Sequence, residues 1–175
     1  MIDDIKKILF TEEDIKNIIS KLASELNLEY KNKRPVVLGL LKGCLPFMSD
    51  LVKRLDFDLE VEYIKVSSYE GTKSTNNIKI IGYVPDLKGK DVILIDDIID
   101  TGKTINEIQN LVMGMKALSF KSCVLLDKVT TTKNNKADYV GATIRNEFVV
   151  GYGFDYNESY RNLPFIGVLK DEIYK

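Results

Sequence analysis

Apolar residues recur along this chain at two different periods, and the two periods alternate. Residues 11–27, "TEEDIKNIISKLASELN", place Ile15, Ile18, Ile19, Leu22, Ala23 and Leu26 at helical spacing. Thr11 is positioned to cap that helix, and Glu12, Glu13 and Asp14 suit its positive end. "PVVLGLL" (35–41) is a short continuous apolar run, the pattern of a strand buried on both faces. "KGC" follows it, then a helical pattern over 45–55. Residues 58–69 read as a strand, alternating in their first half. "EGTKSTNN" (70–77) is polar and rich in turn formers, so 78–83 is expected to pair back as a long-looped hairpin. A second buried strand is expected at 91–96 and a helix at 103–118, with Ile105, Ile108, Leu111, Val112 and Met115 on one face. Gly114 weakens that helix slightly. A third buried strand is expected at 122–128, a turn at 133–138, and short strands at 139–144 and 148–154. There is no repeat, low-complexity tract or linker. Strands alternating with helices predict an α/β fold with a mainly parallel sheet, which binds ligands beyond the carboxyl ends of its strands.

Composition narrows the chemistry more than the fold. The 175 residues suit one domain, 1–175, with a full core. Basic and acidic residues number 25 and 26, a net charge of −1, which gives no general reason to expect nucleic acid or an anionic membrane as partner. There is no histidine. That removes Ser-His-Asp and Cys-His catalysis and every histidine-bearing zinc site. Base work falls to a carboxylate, a lysine or a tyrosine. Cys44 and Cys123 lie far apart and read as small buried residues in a reducing compartment. The N-terminal "MIDDIKKILF" carries acids and is not patterned as a signal peptide, and no apolar run reaches the ~18 residues of a membrane span. A cytoplasmic protein is expected.

The chemistry concentrates in "DVILIDDIIDTGKT" (91–104). A nucleotide-binding P-loop would need glycine at position 97, which is Asp97. "TGKT" nevertheless lies between a strand end and a helix start, where free N–H groups and the helix dipole form an anion site. Gly102 allows close backbone approach, and Thr101 and Thr104 add hydroxyl donors. One phosphate fits there. Asp96 and Asp97 would then accept hydrogen bonds from sugar hydroxyls, directly or through Mg²⁺, with Asp100 near the reacting carbon. A solvated acidic strand end, as in a phospho-acceptor pocket or a helix cap, is the plainer alternative.

"VILIDDIIDTGKT" resembles the phosphoribosyl-pyrophosphate motif of the type I phosphoribosyltransferases: an apolar strand, two acids, two apolar residues, then D-T-G-x-T. "LLKGC" (40–44), "VSSYEGTKST" (66–75), "LLDK" (125–128) and "FVVGYGFDYNESYRNLPFIGVLK" (148–170) resemble the hypoxanthine-guanine members, the last segment its bacterial branch. The resemblance covers about residues 8–173. It implies the type I phosphoribosyltransferase fold: a mainly parallel central sheet flanked by helices, a small hood from the N- and C-terminal segments, and a mobile lid over about 68–77.

The same resemblance implies roles. Asp96 and Asp97 match the pair on the ribose hydroxyls, and Asp100 matches the general base near N7 of the purine. Asp100, Thr101, Gly102, Lys103 and Thr104 match the loop around the 5′-phosphate. Lys42 and Gly43 match the pyrophosphate loop, whose peptide is often cis in the family, and Arg161 matches a further pyrophosphate contact. Lys128 matches the donor to the purine 6-oxo group; an ammonium has no acceptor to offer the 6-amino group of adenine. Phe148 matches the aromatic that stacks on the base and Val149 the residue whose backbone reads its edge. Asp155 belongs with this purine set and matches a second Mg²⁺ contact, largely through water, so the implied metal residues are Asp96, Asp97 and Asp155. Ser68 and Tyr69 match the start of the lid, which excludes water when closed. Without the resemblance, Lys42 and Lys128 read equally as solvated lysines, Phe148 as core and Arg161 as a surface residue.

The implied activity is purine salvage: Mg²⁺-dependent transfer from phosphoribosyl pyrophosphate to hypoxanthine or guanine, in a homodimer or homotetramer. Asn76, where relatives often carry glycine, and Val129, where many carry arginine, depart from the pattern and bear on lid kinetics and substrate preference. A regulator that binds RNA and nucleotides shares the fold and motif, but it predicts a basic face and would not need Lys128, Phe148 and Asp155. An adenine or orotate transferase is opposed by Lys128.

Overall fold

A computed structural model of the chain describes residues 1–68, 78–129 and 136–174. Its centre is a five-stranded sheet among the described residues, in the order β3-β2-β6-β7-β8 and parallel throughout. The strands are β2 (Val36–Leu40), β3 (Glu60–Ile64), β6 (Asp91–Ile99), β7 (Ser119–Lys128) and β8 (Tyr139–Ile144). The apolar runs that predicted buried strands form the middle of the sheet. Every residue of β2 is buried.

Side chains alternate across the strands, so each apolar run feeds two cores. Val37, Ile93, Ile95, Cys123 and Leu125 face one way. There they meet Ile15, Ile19, Leu22 and Leu26 of α1 (Glu12–Tyr30) and Phe47, Met48 and Leu51 of α2 (Leu45–Val52). Val36, Leu38, Val92, Leu94 and Val124 face the other way, against Ile105, Ile108 and Val112 of α3 (Lys103–Gly114). Helix α1 starts at the expected residue because Thr11 and Asp14 form a capping box. The Asp14 N–H donates to Thr11 Oγ1 at 3.2 Å, and the Thr11 N–H donates to Asp14 Oδ2 at 2.9 Å. Cys44 and Cys123 are buried free thiols, and burial pushes the Cys44 thiol up to about 12.

The chain ends meet in a second, antiparallel sheet in the order β1-β10-β9: β1 (Ile5–Phe10), β10 (Ile166–Leu169) and β9 (Val149–Val150). Neither β1 nor β10 was expected from the pattern. Three consecutive residues of β1 are exposed, so it shows no alternation. The expected strand at 148–154 shrinks to β9, because Gly151 (φ 93°) and Gly153 (φ 100°) turn the chain.

Other boundaries move for local reasons. The expected strand at 58–69 divides into β3 and β4 (Val66–Ser68), and β4 pairs with β5 (Ile78–Ile80) as the predicted hairpin, which stops short of residue 83. Helix α2 stops at Val52 rather than 55. Helix α3 stops at Gly114 rather than 118, and Lys116 (φ 65°) reverses the chain into β7. Strand β7 starts three residues early, at Ser119. Strand β6 runs to Ile99, three residues past its expected end, so Asp97 as well as Asp96 belongs to the strand. Of the expected turn at 133–138 only Lys136–Asp138 are described, and the lid, with Tyr69 and Asn76, lies outside the described residues apart from Ser68, whose backbone ends β4. No helix among the described residues is long and apolar enough to cross a membrane.

Candidate active site at the carboxyl ends of the strands

Three segments follow the carboxyl ends of neighbouring parallel strands: Leu41–Cys44 after β2, Asp100–Gly102 after β6 and Val129 after β7. Gly102, at φ 80° and ψ 1°, caps α3 in the left-handed region that glycine tolerates. The Lys103 N–H donates to Thr101 Oγ1 at 3.4 Å, and the first N–H groups of α3 point out of this loop. An open cleft of about 110 Å³ lies against it, lined by Asp96, Ile98, Ile99, Asp100, Thr101, Gly102, Thr104 and Ile105. A helix N-terminus and the carboxylates of Asp96 and Asp100 thus share one cavity.

The two adjacent acids differ in their surroundings. Asp96 is 8% exposed and lines the cleft. Its Oδ1 accepts the Asp97 N–H at 2.9 Å. Asp97 is absent from the cleft lining. Its Oδ2 lies so close to Gly43 that a Cβ there would sit 1.7 Å away. Burial raises the pKa of both acids, and for Asp96 the neighbouring Asp97 charge raises it further, while Asp97 is drawn partly back by Asp96 and by the Arg161 charge. Among the described residues no three acid or cysteine side chains converge as a metal cage. The donor set still fits Mg²⁺, which characteristically takes one or two carboxylates and completes its shell with water and substrate phosphates. A cation would also relieve the repulsion between Asp96 and Asp97.

The Leu41–Lys42 peptide is cis. Its loop is gripped from both sides: Asp97 lies against Gly43, and a Cβ on Gly153 would come within 2.3 Å of the Gly43 carbonyl oxygen. Arg161 closes the cluster. Its Nη1 donates to the Gly153 carbonyl at 2.7 Å, and its Nη2 lies 2.7 Å from Asp155 Oδ1 and 3.3 Å from Glu158 Oε1. Its Nε is buried and makes no hydrogen bond. Lys42 Nζ lies 2.6 Å from Glu158 Oε2, which holds the Glu158 carboxyl below its usual range. Lys42, Gly43, Asp97, Asp155 and Arg161 therefore gather in one place. Glu158 and Gly153 join them unforeseen.

On the far side, the Lys128 side chain is 16% exposed and its Nζ is 3.9 Å from Asp100 Oδ2. β7 carries it there beside β6, with Asp127 opposite Ile99. Phe148, just before β9, stacks on Tyr174 of α4 (Asp171–Tyr174) at 4.7 Å and 21°, and meets Tyr156 edge-on at 5.7 Å. Val149 is buried and paired with Val168. Tyr174 carried no sequence signal beyond being a terminal aromatic.

Comparison with known proteins agrees with this fold. A family model described as phosphoribosyl transferase domain matches residues 7–157. The chain is 47% identical to the hypoxanthine-guanine phosphoribosyltransferase of Staphylococcus aureus strain Mu50, with 99% of each chain covered. It is 48% identical to the bifunctional protein TilS/HprT of Listeria monocytogenes serotype 4b over 99% of this chain, but it spans only 27% of that longer protein. The crystal structure of a hypoxanthine phosphoribosyltransferase from S. aureus superimposes with a TM-score of 0.93 at 47% identity, covering 100% of this chain and 97% of the other.

Proposed function

The chain belongs to the phosphoribosyl transferase family, and from that premise we propose that it transfers the 5-phosphoribosyl group of phosphoribosyl pyrophosphate to hypoxanthine or guanine, releasing pyrophosphate and the nucleoside monophosphate. The observation that carries this reading is the single cleft in which the α3 N-terminus, Asp96 and Asp100 face one another, with Lys128 beside Asp100. A sugar phosphate needs donors at one end and acceptors along its hydroxyls, and that cleft supplies both.

In this reading the Thr101–Thr104 backbone and hydroxyls hold the 5′-phosphate, and the acidic pair takes the ribose hydroxyls. A purine ring nitrogen forms the new bond to C1 as the C1–oxygen bond to pyrophosphate breaks. Asp100 accepts the ring proton, or orients the ring that loses it. Lys128 donates to the 6-oxo group, which favours oxopurines over adenine. Phe148 supplies a face for the base, Val149 reads its edge, and Lys42, Gly43 and Arg161 receive the pyrophosphate. Asp96 and Asp97 would hold Mg²⁺, with Asp155 as a further contact through water, and the ion would supply charge neutralisation for the leaving group. Ser68 and Tyr69 begin the lid. A homodimer or homotetramer in the cytoplasm completes the proposal. Exposed Ile81, Tyr83 and Val84 form an apolar stretch suited to a subunit contact.

Pyrophosphate release is measured with phosphoribosyl pyrophosphate, Mg²⁺ and each of hypoxanthine, guanine, xanthine and adenine. Activity with hypoxanthine or guanine is expected, and silence with both sinks the reading. Asp100→Asn should lower kcat by about 100-fold or more and change KM for phosphoribosyl pyrophosphate little. Equal losses in both would remove Asp100 from the proton step.

A further inference from the structure

Glu158 sits where its carboxylate bridges two cations 119 positions apart in sequence from one another, Lys42 at 2.6 Å and Arg161 at 3.3 Å. Each of its oxygens takes one partner. Its backbone is fixed for the purpose: φ is 62°, in the left-handed region, and its N–H donates to Asp155 Oδ2 at 3.0 Å. Asn157 and Tyr160 also have positive φ, so the turn that presents this acid departs from ordinary backbone at three of the four positions 157–160. The Glu158 side chain is 65% exposed, so an incoming anion can reach it.

We propose that Glu158 is an internal stand-in for pyrophosphate, occupying Lys42 and Arg161 when the site is empty and weakening the hold on pyrophosphate when it is full. The inference rests on the proposed assignment of Lys42 and Arg161 to the pyrophosphate. A polyanion arriving there exchanges one carboxylate for several phosphate oxygens on the same two cations. Glu158 then remains beside it as a like charge. Its effect is to soften binding and speed product release, while keeping Lys42 paired in the free protein, where Arg161 also has Asp155 at 2.7 Å.

Binding of inorganic pyrophosphate with Mg²⁺ to the full chain, followed by calorimetry and by stopped-flow dissociation, tests this. Glu158→Gln removes the charge at an exposed position and keeps the shape, so the fold is retained. Its Kd for pyrophosphate should fall about threefold to tenfold, mostly through slower dissociation. In a Lys42→Met background the same substitution should yield a smaller gain, because one of the cations it frees is gone. If Glu158→Gln binds pyrophosphate no more tightly while Lys42→Met and Arg161→Met bind it more weakly, the stand-in role is overturned and the subsite assignment survives. If neither Lys42→Met nor Arg161→Met weakens binding, the assignment falls and takes the inference with it.

Discussion

A methyl group at residue 43 would have nowhere to go. The Cβ of an alanine there would lie 1.7 Å from Asp97 Oδ2 and 2.7 Å from its carboxyl carbon. Either the loop after β2 lifts or Asp97 leaves its place beside Asp96, and both sides of the proposed site are involved. A displacement near 1 Å among positioning groups can lower turnover about 100-fold. Gly43→Ala is therefore expected to lower kcat/KM for phosphoribosyl pyrophosphate by about that factor while leaving far-ultraviolet circular dichroism unchanged. Near-native kinetics would show that the contact yields without consequence. The sequence reading located Gly43 by motif and could not see this reason for it, because Asp97 is remote in the chain. Glu158 was invisible on the same ground: its partner Lys42 is 116 residues away. What was legible at this scale was proximity held at fixed local spacing: Asp96, Asp100, Thr101, Gly102 and Thr104 line one cleft.

Among the elements, legibility followed burial. Strands β2, β6 and β7 are sandwiched between helices, so their apolar runs are unbroken and conspicuous. Strands β1, β9 and β10 belong to a small sheet with exposed positions and turn glycines, and their pattern carries little signal. Yet this small sheet holds the proposed base platform. Phe148 is backed by Tyr174 at 4.7 Å and braced edge-on by Tyr156, and Tyr174 comes from α4, the terminal turn of the described chain. Stacked aromatic pairs contribute about 0.5–1.5 kcal/mol beyond their burial. Removing the backing ring should let Phe148 reorient and weaken the purine site. Tyr174→Leu is expected to raise KM for hypoxanthine about threefold to tenfold and to leave KM for phosphoribosyl pyrophosphate unchanged. Tyr174→Phe, which keeps the ring, should behave as the parent. Equal rises in both constants would point to general loosening of α4 instead.

Over the whole molecule, the acids of the site set how stability varies with pH. Asp96 and Asp97 sit side by side in a sheet whose other buried positions are almost all apolar, and burial raises the pKa of each. A carboxyl with a raised pKa holds its proton more tightly in the folded state than in the unfolded one. Between the ordinary carboxylate value of about 4 and the raised value, the native state thus binds more protons, and stability falls as pH rises. The contribution is fully present below the ordinary value and is lost as pH climbs through the raised one. Asp96→Asn abolishes the more strongly raised of the two titrations and leaves that of Asp97, which burial raises. In the presence of a chelator, the parent's Tm should decline more steeply than that of Asp96→Asn as pH rises from the ordinary carboxylate value of about 4. The variant should be the more stable protein at the upper end, with the gap closing toward acid. Every other titrating group is shared by the two proteins and cancels in the difference. Parallel Tm curves would mean that the pair is solvated or neutralised in the free protein. The same variant should lose transferase activity, since the charge that lowers stability at neutral pH is the one proposed to hold the ribose and Mg²⁺.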